Sequence, residues 1–534
     1  MEDIMKRIDE RVNERRTVAQ KTISSVNPAT GETLAEIPIS SPQEVRRTVA
    51  RARAAFGPWA ARSFRERGGI VLRARQYIID HLDEIVSVIY RETGKPKTEA
   101  LAADVMPVLD LMTYYARMTE KWLRPERIHL GKYALMGRSS YVAYKPLGVI
   151  GIISPWNFPF TIPMGEIVMA LMAGNTVVLK PSEYTPLTGL AIGEIFTRAG
   201  LPEGALNVVP GDGTTGAALC EAGVNKILFT GSVATGRQVM MAAARHLTPV
   251  VLELGGKDPM IVCRDADIDV AASAAVWGAF SNAGQICASV ERCYVDEAIA
   301  EEFIARVVEK TRQLSQGTPE RLDTDIGALT NERQLRIVEE QVREAVARGA
   351  TVLCGGRRHR QLNGLYFQPT VLIGVDHTFS IMREETFGPV LPIMTFKTEE
   401  EAIRLANDTP YGLTASVWTR DIRRGKKLAA QLEAGTVMIN ECAYTHALPQ
   451  TPWGGVKQSG IGRTHSRWGL NELVTIEHIH VNRWTGVKDF WWFGYSQQLY
   501  HLLVEIAGKL TSPSWLDKLK ALPALLRGRR LKKY

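Results

Sequence analysis

Six cysteines in 534 residues, none of them in a CxxC pair, leave no disulfide ladder to organise this chain. Reduced thiols in a cytoplasmic compartment are the expectation. No apolar run reaches the roughly 18 to 20 residues of a membrane span. The start, Met1-Glu2-Asp3-Ile4-Met5-Lys6-Arg7, is too charged for a secretory signal. The ten histidines show no ligand-like spacing, so no catalytic metal is expected. No low-complexity linker and no internal repeat divides the chain. A broad excess of charge is missing too. The whole chain carries +8, yet from Lys509 to Tyr534 there are eight Lys/Arg and one acid, a net +7. The preceding body is nearly neutral, which argues against nucleic acid as a partner.

What is present is ordinary globular composition, 45% hydrophobic and 23% charged, at a length suited to two or three domains. Residues 43 to 120 read as helical, with Val45 to Ala55 and Ile78 to Glu92 as examples and Gly94-Lys95-Pro96 as a stop. From about residue 148, short apolar strands alternate with helices: Val149 to Ile153, Thr176 to Leu179, Leu206 to Val209 and Lys226 to Phe229 each precede one. A second such run extends from near 260 through Val437 to Asn440. This predicts an α/β fold with parallel sheets covered on both faces.

Three chemical features stand in order along this framework. Pro155-Trp156-Asn157-Phe158-Pro159 supplies a side-chain amide, Leu252-Glu253-Leu254-Gly255-Gly256-Lys257 a carboxyl group, and Asn282-Ala283-Gly284-Gln285-Ile286-Cys287 a thiol. Together they are the parts needed to attack a carbonyl, stabilise the oxyanion and hydrolyse a thioester. Cys293, in a strand-like setting, reads as structural. Over residues 20 to 480 these motifs and their spacing resemble the aldehyde dehydrogenase superfamily.

The resemblance implies two Rossmann-like domains, cofactor-binding (1–121 and 146–256) and catalytic (257–446). It adds a small β oligomerisation arm (122–145 and 462–485), with a homodimer or homotetramer as the assembly. Cys287 becomes the nucleophile, Asn157 the oxyanion donor and Glu253 the base, in a hydrolytic rather than coenzyme A-acylating enzyme. Gly211-Asp212-Gly213-Thr214-Thr215-Gly216 literally matches GxGxxG, but Gly231-Ser232 and Gly236, after the next strand, are the better pyrophosphate loop. The implied cofactor contacts are Ser154, Trp156, Lys180, Glu183, Gly213, Gly231, Ser232, Gly236, Leu254, Glu385 and Phe387. A carboxylate at Glu183 would repel a 2′-phosphate, which favours NAD over NADP. By resemblance, Phe158, Ile162, Gly165, Ile286, Ala288 and Trp453 face an apolar aldehyde tunnel.

A medium- or long-chain apolar aldehyde is the expected substrate. A semialdehyde or aromatic aldehyde is the alternative, and a catalytically silent interaction protein of the same fold the reading from another class. Residues 486–534 form a basic, amphipathic extension. It has the aromatic cluster Phe490 to Tyr495 and an apolar face of Leu499, Leu502, Leu503, Ile506 and Leu510, followed by Trp515, Leu516 and Leu519. It either lies on an anionic membrane surface through residues 487–534 or docks on its own oligomer.

Overall fold

The computed structural model describes residues 6, 7, 10, 21–486, 488, 489 and 491–530, with backbone only at 132, 135, 522 and 525–530. Phe490, residues 531–534 and most of the first twenty positions, all included in the expectations above, lie outside the described residues.

The strands Val149–Ile153 and Thr176–Lys180 are buried at every position. Such strands must be covered on both faces, and they form the centre of a six-stranded sheet. Its order is Gly460–Ile461, Val250–Glu253, Lys226–Thr230, Val149–Ile153, Thr176–Lys180 and Leu206–Val208. All neighbours are parallel except the short first strand. A seven-stranded sheet runs Thr351–Cys354, Thr370–Ile373, Val390–Phe396, Val290–Asp296, Asp258–Val262, Thr414–Trp418 and Thr436–Ile439. It too is parallel but for its first strand. The fold is thus α/β with two parallel sheets, as the alternation of strands and helices predicted. Cys293 lies in the central strand Val290–Asp296, wholly buried.

Local chemistry sets the helix ends. Ser41 with Glu44 and Ser63 with Glu66 form capping boxes at the helices Pro42–Ala60 and Phe64–Asp80, each cap stabilising by about 1 kcal/mol. The single helix expected across 78–92 is in fact two. His81 leaves helical geometry (φ −125°) between Phe64–Asp80 and Leu82–Thr93. Its ring stacks on Tyr77 at 4.0 Å and its Nδ1 lies 2.9 Å from the Tyr77 carbonyl oxygen. Gly94, at φ +77°, ends the second helix.

Two compact units form, one within residues 21–122 and 146–475, the other within 123–145 and 476–530. The boundary at 475 differs from the expected arm, which began at 462. Thr464 exchanges two backbone hydrogen bonds with Trp453, and Leu473 O accepts from Asn175 Nδ2 at 2.8 Å, so 462–473 belongs to the first unit. The second unit is built around Val474–Asn482, Arg138–Pro146 and Glu126–Ile128. In it Arg138 pairs with Asp489, both nearly buried, and its guanidinium lies 5.6 Å from the Trp491 ring centre.

The apolar face expected to be available in the C-terminal extension is not. Ile506 is buried with Ala521 and Ala524, and Leu502, Leu503 and Leu510 pack on them, so Gln497–Thr511 and Trp515–Arg530 seal that face against each other. What stays exposed there includes Trp492, Phe493, Tyr495, Val504, Trp515 and Leu516. No described helix is long and apolar enough to cross a membrane.

Candidate active site

Cys287 follows the helix Ile268–Phe280 on a turn where Asn282, Ala283 and Gly284 all have positive φ, at 51°, 52° and 73°. Two consecutive non-glycine residues there cost on the order of 1 kcal/mol or more each, so the loop needs outside braces. Ser281 Oγ and Asn282 N both donate to Glu99 Oε1, at 2.5 and 2.6 Å. Asn282 Nδ2 donates to the carbonyls of Asn157 and Gln285, at 3.0 and 3.1 Å. Thr330 N donates to Gln285 Oε1 at 2.9 Å. A Cβ on Gly284 would lie 2.1 Å from Gly388 O, so only glycine fits.

Asn157 reaches the same place from the strand Val149–Ile153. Its carbonyl accepts from Lys95 Nζ at 2.8 Å, and Lys95 pairs with Asp104 at 2.6 Å, both side chains fully buried. The Asn157 amide donates one hydrogen to Gln285 O at 3.0 Å, which leaves its second hydrogen for a ligand. Glu253 ends the strand Val250–Glu253, and neither of its buried carboxyl oxygens has a hydrogen-bond partner. Burial pushes its pKa well above the usual carboxylate range; nearby Glu166 adds to this and Arg463 opposes it. Burial also pushes the Cys287 thiol up, reinforced by Asp258, Glu385 and Glu253. No cationic side chain is among the groups acting on this thiol; the backbone N–H of Ala288 opposes the rise.

Three cavities converge here. A cleft of about 540 Å³ is lined by Ser154, Trp156, Lys180, Glu183, Gly213, Gly231, Ser232, Leu254, Glu385 and Phe387. A second cavity of about 700 Å³ is lined by Phe158, Ile162, Ile286, Ala288 and Trp453, with Trp277, Phe280 and Tyr444. A third, of about 20 Å³, is bounded by Glu253, Glu166, His446 and His465. Cys287 and Ile162 line all three.

Within the cleft, Lys180 Nζ lies 3.2 Å from Glu183 Oε2, and Glu385 Oε1 accepts from Gly256 N at 3.0 Å. Phe387, at φ +51°, meets Trp156 edge-on at 5.4 Å between ring centres. Ser232 caps the helix Val233–Ala244, its Oγ accepting from Thr235 N at 3.3 Å and donating to Thr235 Oγ1 at 3.0 Å. Its hydroxyl is thus engaged in capping. Gly236 does not line the cleft; a Cβ there would strike Leu254 Cδ2 at 2.6 Å, so it serves close packing beneath it. Nor does Gly165 line the apolar cavity, because it faces helix Met106–Leu123, where a Cβ would meet Leu111 Cδ1 at 3.3 Å. Its lack of a side chain accommodates helix packing.

Other residues at the site went unread in the sequence. Tyr184 and Arg333 line the cleft. Lys95, Asp104 and Glu99 brace the two loops from the helical segment near residue 100. Glu166, His446 and His465 reach the small cavity. Isolated acids, a lysine and histidines far apart in the chain carry no spacing signal. Lys95, Glu99 and Asp104 lay within the stretch read as helical, Lys95 as part of a helix stop, and none was read as part of the site.

The model of the aldehyde dehydrogenase family matches residues 16–479. A 4,4'-diapolycopene aldehyde oxidase of Methylomonas sp is 40% identical over 479 residues, 90% of this chain and 89% of the relative. A putative NADP(+) succinate-semialdehyde dehydrogenase of Mycolicibacterium smegmatis is 40% identical over 85% of this chain and 87% of its own length. Among solved structures, a Mycobacterium tuberculosis aldehyde dehydrogenase complexed with NAD+ superposes with a TM-score of 0.83 at 37% identity, covering 89% of this chain and 97% of that one.

Proposed function

This chain belongs to the aldehyde dehydrogenase family, and on that premise we propose that it oxidises apolar aldehydes of medium or long chain to carboxylic acids with NAD. The observation that carries the reading is the position of Cys287 where a cofactor-sized cleft, an apolar cavity and a water-sized pocket meet.

The cleft residues fit a dinucleotide. Gly213 has open space where a Cβ would stand, and the Gly231-Ser232 backbone opens the helix Val233–Ala244, whose positive end suits a pyrophosphate. Lys180 and Glu183 would hold the adenosine ribose, and Glu385 the ribose at the other end. A nicotinamide bound beside Phe387 supplies the hydride acceptor for the oxidation. The Glu183 carboxylate disfavours a 2′-phosphate, so NAD is the cofactor proposed although one relative is named for NADP(+).

The chain's own residues do the rest. The Cys287 thiolate, its proton released to solvent through the open cleft, attacks the aldehyde carbon; as the C–S bond forms, the carbonyl π pair moves to oxygen. That oxyanion accepts from the free Asn157 amide hydrogen and the Cys287 N–H. Once the carbon is oxidised to a thioester, Glu253 takes a proton from water in the small pocket. The oxygen adds to the carbonyl, and the C–S bond breaks with its pair returning to sulfur.

The apolar cavity supports the substrate class. Phe158, Trp277, Phe280 and Trp453 surround it; no arginine is among the described residues lining it, and the lysine there, Lys310, is paired with Asp269 at 2.9 Å, with the acids Glu99 and Asp325 on the same wall. One relative is named for 4,4'-diapolycopene aldehyde and another for succinate semialdehyde; the lining favours the hydrocarbon kind over the anionic kind. The test is NADH formation across aldehydes of graded chain length and with an ω-carboxylate. A kcat/KM highest for the short carboxylated members sinks the apolar reading.

For the C-terminal extension we propose attachment to an anionic lipid surface, with the three-stranded sheet as the oligomerisation arm. Trp492, Phe493, Tyr495 and Trp515 are exposed beside a segment of net charge +7.

A further inference from the structure

The helix Thr161–Ala173 is buried at all thirteen positions, yet its sixth residue is an acid, Glu166. A buried carboxyl group is normally paired or hydrogen-bonded. Glu166 is in no ion pair among the described residues, and its Oε2 has no hydrogen-bond partner. Neither oxygen of Glu253 has one either. The two carboxyl groups line one cavity of about 20 Å³, room for a single water, whose wall also includes Cys287. Orphaned carboxyl oxygens from two residues on the wall of one water-sized space can accept from, and when protonated donate to, a water there.

We propose that Glu166 is a positioning residue acting through Glu253: the two carboxyl groups flank one water and share one proton, so that the charge on Glu166 governs when Glu253 becomes a base. The inference rests on the reading of Glu253 as the base that activates water.

Among the described residues no cation pairs with either carboxyl group, although Arg463 partly opposes the rise at Glu253. At the N-terminal end of the helix, Lys95 is engaged by Asp104. At its C-terminal end, Arg67 donates to the carbonyls of Met172, Ala60 and Arg62. Arg463 is turned to the carbonyls of Gly455 and Gly462. Burial holds His446 and His465 neutral, the first pushed down to about 4 and the second well below its ordinary value. The Tyr115 hydroxyl, on the helix packed behind, stays protonated because burial raises it. The remaining titratable group on the wall is the thiol of Cys287. Two carboxylates in one dry pocket cannot both ionise readily. Burial pushes Glu166 up to about 8 and Glu253 well above the usual carboxylate range, with Glu166 adding to the rise at Glu253. When Glu253 takes the proton of the attacking water, both groups are protonated; one proton must leave before the next turnover.

The experiment measures hydrolysis of the preformed acyl-enzyme in a single turnover from about pH 5 to 9, in wild type, Glu166→Gln, Glu166→Met and Glu253→Gln. Both Glu166 variants remove the competing charge at similar side-chain volume. Each should move the rise of hydrolysis with pH to lower pH, by roughly one unit or more. The Cys287 acylation burst should keep its amplitude. A folded Glu166→Gln or Glu166→Met enzyme whose hydrolysis profile superposes on wild type overturns the proposal, with melting temperature as the check on folding. Should Glu253→Gln stall while the Glu166 profiles stay put, only this inference fails. Hydrolysis at the wild-type rate in Glu253→Gln overturns the base assignment beneath it.

Discussion

The Asn157 side-chain amide donates to the main-chain carbonyl of Gln285 at 3.0 Å. This bond ties the turn after a strand of the six-stranded sheet to the loop that presents Cys287 from the other. The proposed oxyanion donor and nucleophile are therefore held together before substrate arrives, in a water-poor setting where each hydrogen bond is worth more than in solvent.

Lys95→Met should destabilise the protein by about 3 to 5 kcal/mol, because it leaves Asp104 charged and unpaired in the interior. It also removes the donor to the Asn157 carbonyl, so kcat should fall with the melting temperature. Adding Asp104→Leu should recover part of the stability without restoring activity. An unchanged melting curve in the single variant would contradict this account.

Cys287→Ala should abolish turnover while leaving cofactor binding nearly intact, since only the nucleophile is lost. Turnover above a few per cent, assayed by NADH fluorescence, would move the nucleophile elsewhere. Cys293 is a poor substitute, being wholly buried in a strand.

Glu253→Gln should give one burst of NADH and then a stalled thioester, detectable as an acyl adduct by mass spectrometry. In wild type, a base whose pKa is raised stays protonated to higher pH. Hydrolysis should therefore weaken on acidification while the pH is still well above the ordinary carboxylate value of 4.5. A pH-independent deacylation rate down to about pH 5 would refute the assignment.

Glu183→Ala should raise kcat/KM for NADP about tenfold or more relative to NAD, by removing the carboxylate that repels a 2′-phosphate. Arg333 lines the same cleft and remains to receive the phosphate. An unchanged preference, measured with both cofactors at fixed aldehyde, would shift the discrimination to another residue.

Removing residues 497–534 should weaken binding to anionic liposomes and spare oxidation of short soluble aldehydes, and the binding of the full-length protein should itself weaken with salt. The cut is placed there because Asp489 pairs with the nearly buried Arg138. Deleting from 487 would strand that cation and confound lipid binding with misfolding. Full-length protein that ignores such liposomes at low salt would end the membrane proposal, and the oligomeric mass of the truncated form would then be the measurement of interest.

Much of the layered fold was legible along the chain. Continuous apolar strands such as Val149–Ile153, set between helices, have few ways to be buried other than a parallel sheet. Cys287, Glu253 and Asn157 stood out because each sits in a dense local motif. Helix geometry across 78–92 was misread because a stacked Tyr77–His81 pair interrupts a periodicity that continues on both sides. The apolar face of the C-terminal extension was read correctly as apolar and wrongly as available, since no periodicity says whether a second helix covers it.

The sequence by itself determined the family, through motifs that set an amide, a carboxyl group and a thiol in order along the chain. Only the tertiary structure decided how those groups meet. Lys95, Asp104, Glu99 and Gln285 brace the loops through hydrogen bonds that join residues dozens to more than a hundred positions apart. Glu166 reads in the chain as one acid in an apolar stretch, and nothing local marks it. Its unpaired oxygen and its place on the wall of the same water-sized cavity as Glu253 exist only once the helix Thr161–Ala173 packs near the end of the strand Val250–Glu253. Burial, which sets the charge of both acids, depends on every layer around them, and that is a property of the assembled fold.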